Sequence, residues 1–156
     1  MGQIINRKSI SDFAKKLHDA GKTIVVTNGC FDILHIGHVR YLQKTKSYAD
    51  YSVILLNSDK SVKSIKGPDR PINNESDRAE LLTALSCVDF VVLFDESSPA
   101  SLLEEIKPDF YTKGADYTLE TLPERDVVLK NNITVKFIEF VEGKSTTNII
   151  KQIENK

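Results

Sequence analysis

The sequence predicts an α/β domain of the doubly wound, Rossmann-like type: a parallel five-stranded sheet with helices on both faces. Two observations lead there. Its strand-length apolar runs are β-branched and continuous, without the alternation of a half-solvated strand, and helical stretches separate each from the next. Buried strands joined through helices imply right-handed crossovers and a sheet covered on both sides.

The elements follow in order. "SISDFAKKLHDAG" opens with Ser9 as N-cap, carries Asp12 in the first turn and stops at Gly21, which predicts a helix over 10–20. "KTIVVTN" (22–28), "YSVILLN" (51–57), "VDFVVLF" (88–94), "PDFYTKG" (108–114) and "ITVKFIEF" (133–140) are the five strands. Helices are predicted over about 37–47, 74–86, 98–106 and 123–131, with a last one in "STTNIIKQIEN". The segment 57–74, "NSDKSVKSIKGPDRPINN", has one Gly, two Pro and several charges, and reads as a long mobile loop. There is no internal repeat and no linker, so residues 1–156 are expected to form one domain, with a helical segment over 1–21 and a core over 22–153.

Composition narrows the partners. Twenty-one basic side chains against 22 acidic ones leave a net charge of −1, which favours neither nucleic acid nor an anionic membrane and points to small molecules. No apolar run reaches the length of a membrane span. Cys30 and Cys87 have no metal-type spacing and nothing resembles a signal peptide, so both thiols are expected reduced and the protein cytoplasmic.

In this fold class ligands bind beyond the carboxyl ends of the strands, at the switch point of strand order. Those ends read "NGCFDILHIGH", "NSD" and "KGAD", and the last strand runs through "FVEGKSTT" into a helix. Gly29 lets backbone N–H groups approach a phosphate, and the helix starting near His35 to His38 presents its positive end there. His35 and His38, at i and i+3, can share a face and donate to one anion, with Gly37 leaving room between them. A zinc site would need a third ligand, but the remaining histidine, His18, lies in the first helix with no ligand spacing to the pair.

"NGCFDILHIGHVRYL" resembles the H-x-G-H signature of the cytidylyltransferase-like nucleotidyltransferases, which share it with class I aminoacyl-tRNA synthetases. "KGPDRPINNESDRAELLTAL", "VDFVVLFDESSP", "IKPDFYTKGADYTLE" and "EGKSTTNII" further resemble the heptose 1-phosphate adenylyltransferases of that superfamily, across about residues 22–153. The ordered set is more specific than H-x-G-H alone. The resemblance implies AMP transfer from ATP to a heptose 1-phosphate, giving ADP-heptose and pyrophosphate for bacterial cell-surface polysaccharide, with Mg²⁺ carried mainly by the ATP phosphates and no metal held by protein side chains. It also implies a homodimer. Some relatives fuse the module to a sugar kinase; here it is expected to stand alone.

The resemblance assigns roles by position. His35, His38 and Lys66 are the catalytic set, with Lys63 a weaker candidate. Asn28, Gly29, Cys30, Phe31, Arg78, Lys113, Gly114, Asp116, Lys144, Ser145, Thr146 and Thr147 are expected to hold the nucleotide. Asp32 and Arg70 are assigned to the sugar substrate, although Asp32 also suits orienting its own loop or Mg²⁺. Cys30 is expected to pack, since nothing charged beside it clearly lowers its pKa. Phe140 and Val141 stand where cytidylyltransferases carry Arg-Thr, and Lys144 stands in place of Ile, changes that favour ATP over CTP. The alternatives are a cytidylyltransferase acting on glycerol 3-phosphate or a similar polyol phosphate, and a catalytically silent nucleotide-binding regulator. A synthetase fragment lacks support, because there is no K-M-S-K-S-type loop and no basic face for tRNA.

Overall fold

A computed structural model describes residues 1–156. Its strands are β1 (Gln3–Ile4), β2 (Ile24–Gly29), β3 (Tyr51–Asn57), β4 (Phe90–Phe94), β5 (Phe110–Gly114) and β6 (Thr134–Ile138). Its helices are α1 (Ile10–Asp19), α2 (Ile36–Lys46), α3 (Asp59–Lys66), α4 (Glu75–Thr83), α5 (Ala100–Ile106), α6 (Arg125–Lys130) and α7 (Thr146–Glu154). The sheet order is β1-β4-β3-β2-β5-β6 and every neighbouring pair is parallel. The chain therefore winds outward from β2 through β3 and β4, then returns to the other side of β2 at β5. That reversal opens the crevice between β2 and β5.

The sheet has six strands, which corrects the expected five. The addition is β1, whose two residues pair Gln3 with Phe90 and Ile4 with Val91. A strand this short at an edge carries no periodicity from which to predict it. A second correction concerns 57–74, where residues 59–66 form α3. Ser58 caps it by accepting from Ser61 N at 3.2 Å, and Val62 points inward, fully buried. The Gly and Pro that suggested a loop begin only at Gly67. Ser9 makes no side-chain cap; Asn6 instead accepts from Lys8 N at 2.8 Å and starts a short 3₁₀ turn that leads into α1.

Two apolar clusters show why the strands are continuous runs. Ile24, Val26, Val53, Leu55, Val92 and Tyr111 face one side, against Ile10, Leu103 and Val128 of α1, α5 and α6. Ile54, Leu56 and Val91 face the other, against Leu42, Ala79 and Leu82 of α2 and α4. Both faces are therefore buried, and successive side chains on one strand enter different cores. A hydroxyl network fastens α2 to the centre of the sheet: Thr27 Oγ1 and Tyr41 OH lie 2.9 Å apart, as do Thr45 Oγ1 and Thr112 Oγ1. No helix is long and apolar enough to cross a membrane.

Candidate active site

A cavity of about 730 Å³ lies over the carboxyl ends of the strands. The turn after β2 supplies Asn28 to Asp32, α2 supplies His35, Gly37, His38 and Tyr41, and β5 supplies Lys113 and Gly114.

His35 is the N-cap of α2, and its Nδ1 accepts from Gly37 N at 3.1 Å. That bond places the ring proton on Nε2, as a donor. His38 stacks on it with ring centroids 3.8 Å apart and planes inclined by 25°, while Phe31 meets His38 edge-on at 5.3 Å. A Cβ at Gly37 would stand 2.9 Å from the His35 ring, so the glycine between the histidines is what lets the helix start close to that ring. Burial, and secondarily Lys144, lowers the pKa of His35. Burial, with His35 a smaller cause, lowers that of His38 to about 4. Near neutral pH the pair consists of two uncharged rings.

This has a measurable consequence for stability. An unfolded His38 takes up its proton near 6.5 and the folded one near 4. Between these values the unfolded chain binds more protons, so lowering the pH from about 6.5 to about 4 removes stability and raising it restores stability. Urea midpoints at pH 7 and pH 5 should fall further for the wild type than for His38→Asn. Equal falls would show that His38 does not carry this dependence.

Asp32 is committed to the protein. Its side chain is 1% exposed and accepts from Arg70 Nε at 2.7 Å and from the backbone N–H groups of Ile72 and Asn73 at 2.9 Å. Burial pushes its pKa up, but the two backbone bonds and Arg70 outweigh it and hold the carboxyl below its usual range. Asp32 thereby holds the 70–73 loop, a segment outside its own turn, against the turn after β2. Both carboxylate oxygens of Asp32 are engaged in these bonds.

Arg78 does not line the cavity, contrary to the expectation of nucleotide contact. It is fully buried. Nη1 donates to Cys30 O at 2.6 Å and Asn57 O at 2.8 Å, Nε to Asn73 O at 3.0 Å, and Nη2 to Asp59 Oδ1 at 2.8 Å. The guanidinium ties the turn after β2 to the end of β3, the start of α3 and the loop before α4. Lys63 does not line the cavity either.

The remaining sequence-predicted residues come together. Asn28, Gly29, Cys30, Phe31, Lys66, Arg70, Lys113, Gly114, Asp116, Lys144, Ser145, Thr146 and Thr147 all line the cavity. Burial raises the pKa of the Cys30 thiol despite nearby Lys66 and Arg78, as suits a packing residue. Ser145 caps α7 by accepting from Asn148 N at 3.1 Å, and Thr146 Oγ1 donates to Ile33 O at 3.2 Å, holding the α7 end against the turn after β2. A Cβ at Gly114 would lie 2.1 Å from Phe140 Cζ, so the Phe140 ring rests directly on the end of β5.

Sequence reasoning missed Tyr41, Ser97, Ser98, Tyr117 and Glu124 as lining residues. Ser97 and Ser98 follow β4, and the same strand-end rule applied there would have found them. Tyr41 falls one turn beyond His38 on the same face of α2. Glu124 carries no motif signal.

A family model described as Cytidylyltransferase-like matches residues 26–152. The bifunctional protein HldE of Campylobacter fetus subsp. fetus is 53% identical over 149 residues, covering 95% of this chain and 32% of that protein. The bifunctional protein HldE of Syntrophotalea carbinolica is 49% identical over 147 residues, covering 94% of this chain and 30% of that protein. The chain thus spans about a third of the length of these curated relatives. The crystal structure of the lipopolysaccharide core biosynthesis protein from Thermoplasma volcanium GSS1 superposes with a TM-score of 0.62 at 33% identity, over 80% of this chain and 100% of that one.

Proposed function

We propose that this chain, which belongs to the cytidylyltransferase-like family, transfers AMP from ATP to a heptose 1-phosphate and releases pyrophosphate. The observation that carries the reading is the pair of uncharged imidazoles stacked 3.8 Å apart at the start of α2, beside the turn after β2. In this reading ATP lies across the crevice between β2 and β5, with its phosphates over Gly29 to Phe31 and the two histidines. An oxygen of the sugar phosphate attacks the α-phosphorus in line, the bond to the bridging oxygen breaks, and pyrophosphate leaves.

An attacking phosphate is already ionised near neutral pH, so the protein has no proton to remove. It has to position two anions and to stabilise spreading charge. His35 donates from Nε2, the α2 N-terminus adds its dipole, and Lys66 and Lys144 bring positive charge to the cavity wall. Mg²⁺ enters, in this scheme, as part of the ATP substrate, where it screens phosphate charge. The Phe140 ring over Gly114 offers an apolar platform for a base where the cytidylyltransferases carry arginine. The HldE relatives and the lipopolysaccharide core biosynthesis neighbour support heptose as the acceptor.

A matrix of nucleotides against sugar and polyol phosphates, read by pyrophosphate release with Mg²⁺ present, tests the reading. ATP with heptose 1-phosphate should exceed CTP with glycerol 3-phosphate at least about tenfold in kcat/KM, because a site built for one set of hydrogen-bonding edges leaves its polar groups unpaired with another. Faster release from CTP and glycerol 3-phosphate would assign a cytidylyltransferase. No release from any pair would make the chain a nucleotide-binding regulator.

A further inference from the structure

One carboxylate oxygen in the cavity has no hydrogen-bond partner, and its residue has no role in the scheme above. Glu124, immediately before α6, is 5% exposed, and its Oε2 makes no hydrogen bond. The nearest cation is Lys113 Nζ at 3.8 Å, too far to donate. Lys113 is itself mostly buried; its Nζ donates to Asn28 Oδ1 at 3.2 Å, and the same oxygen accepts from Tyr111 OH at 2.6 Å. Asn28 is thereby saturated at its oxygen, while the ammonium retains protons and the carboxylate retains lone pairs. Asn28, Lys113 and Glu124 all line the cavity.

A buried carboxylate oxygen left unpaired is costly, so the group that completes it is a ligand group of matching chemistry. A ligand phosphate would accept from Lys113 but be repelled by Glu124. A ligand ammonium would do the reverse. A hydroxyl both donates and accepts, so it satisfies an acceptor and a donor set side by side, and two adjacent hydroxyls satisfy them with one bond each. We infer that Glu124 and Lys113 form a clamp for a vicinal diol of a substrate, with Glu124 accepting a hydroxyl proton and Lys113 donating to a hydroxyl oxygen. The inference rests on the nucleotidyl-transfer reading, in which two diols enter this cavity: that of the ATP ribose and that of the acceptor sugar ring.

The experiment compares the wild type with Glu124→Gln and Glu124→Ala in the full chain. One arm uses ATP, 2′-deoxy-ATP and 3′-deoxy-ATP; the other uses heptose 1-phosphates each lacking one ring hydroxyl. Both are read by kcat/KM and, independently, by calorimetric binding of each ligand. The expected result is one hydroxyl whose removal costs the wild type about tenfold or more, costs Glu124→Ala less than about threefold because that variant has lost the acceptor, and costs Glu124→Gln, which keeps only an uncharged amide acceptor, an amount in between. A ribose hydroxyl places the clamp on the nucleotide, and a ring hydroxyl places it on the acceptor. Equal penalties in wild type and variants at every hydroxyl would overturn the clamp. Glu124→Gln keeps the volume and an oxygen for Lys113, so it carries the comparison if the alanine variant does not fold. A wild-type complex with both ligands in which no ligand hydroxyl lies within about 3.5 Å of Glu124 Oε2 would also overturn it, whatever the variants do. Absence of turnover with every substrate pair would sink the transfer reading instead, and the calorimetric arms would still decide the clamp.

Discussion

Replacing either His35 or His38 with alanine is expected to lower kcat about 100-fold or more while changing ATP affinity less than about tenfold. Donors aimed at charge that develops during the transfer are worth most in the transition state and little in the ground state. The geometry makes the two rings one unit: His35 is locked by the Gly37 N–H, His38 rests on it at 3.8 Å, and Phe31 packs edge-on against His38. Removing either ring therefore takes away the stacking surface of the other, so the double variant should be scarcely worse than either single one. Steady-state kinetics with calorimetric nucleotide binding separates the terms. A variant with near-normal kcat would remove the pair from the chemistry, and one with unchanged kcat and much weaker ATP binding would make it a ground-state anchor.

Arg78→Lys is expected to cost about 3 kcal/mol of stability or more, measured by urea unfolding with no nucleotide present. A lysine ammonium cannot reproduce the planar fork through which Arg78 serves four separate oxygens. It would leave some of the carbonyls of Cys30, Asn57 and Asn73, or the Asp59 carboxylate, beside an incomplete partner. The sign of the test is clear because the nucleotide-contact role implied by resemblance makes the opposite forecast. An Arg78→Lys protein of unchanged stability without ligand but weakened ATP binding would return the residue to the nucleotide.

These two cases mark what can be read from the sequence and what cannot. The run 51–57 coincides with β3, and the strand-end rule drew attention to His35, His38, Lys113 and Lys144 before their neighbours in space were known. Both inferences are local: a buried strand and a strand-to-helix turn advertise themselves within a dozen residues. Arg78 is different. Its position in "NESDRAELL" is compatible with an exposed helix arginine or a phosphate ligand, and only the docking of α4 against β3 and β4 turns it inward, toward the carbonyls of Cys30 and Asn57. Glu124 was invisible for the same reason, as its meaning depends on Lys113 across the crevice. The α3 helix was hidden by Gly67, Pro68 and Pro71, which follow it and lend the whole segment the composition of a loop.

The edge strand β1 is held by residues far from it in sequence. Gln3 pairs with Phe90 and Ile4 with Val91, and Arg7 reaches Glu96 and Glu105, contacts 89 and 98 residues distant in sequence. Residues 3 to 7 thus find their partners only once β4 and α5 are in place. Until they dock, β4 has an open flank of backbone donors and acceptors beside the apolar side chains Val91 and Val92. That interval is the time when a foreign strand would find the easiest purchase on this sheet. β1, which adds only two residues to the ladder, closes that flank like a clasp once the sheet behind it is complete.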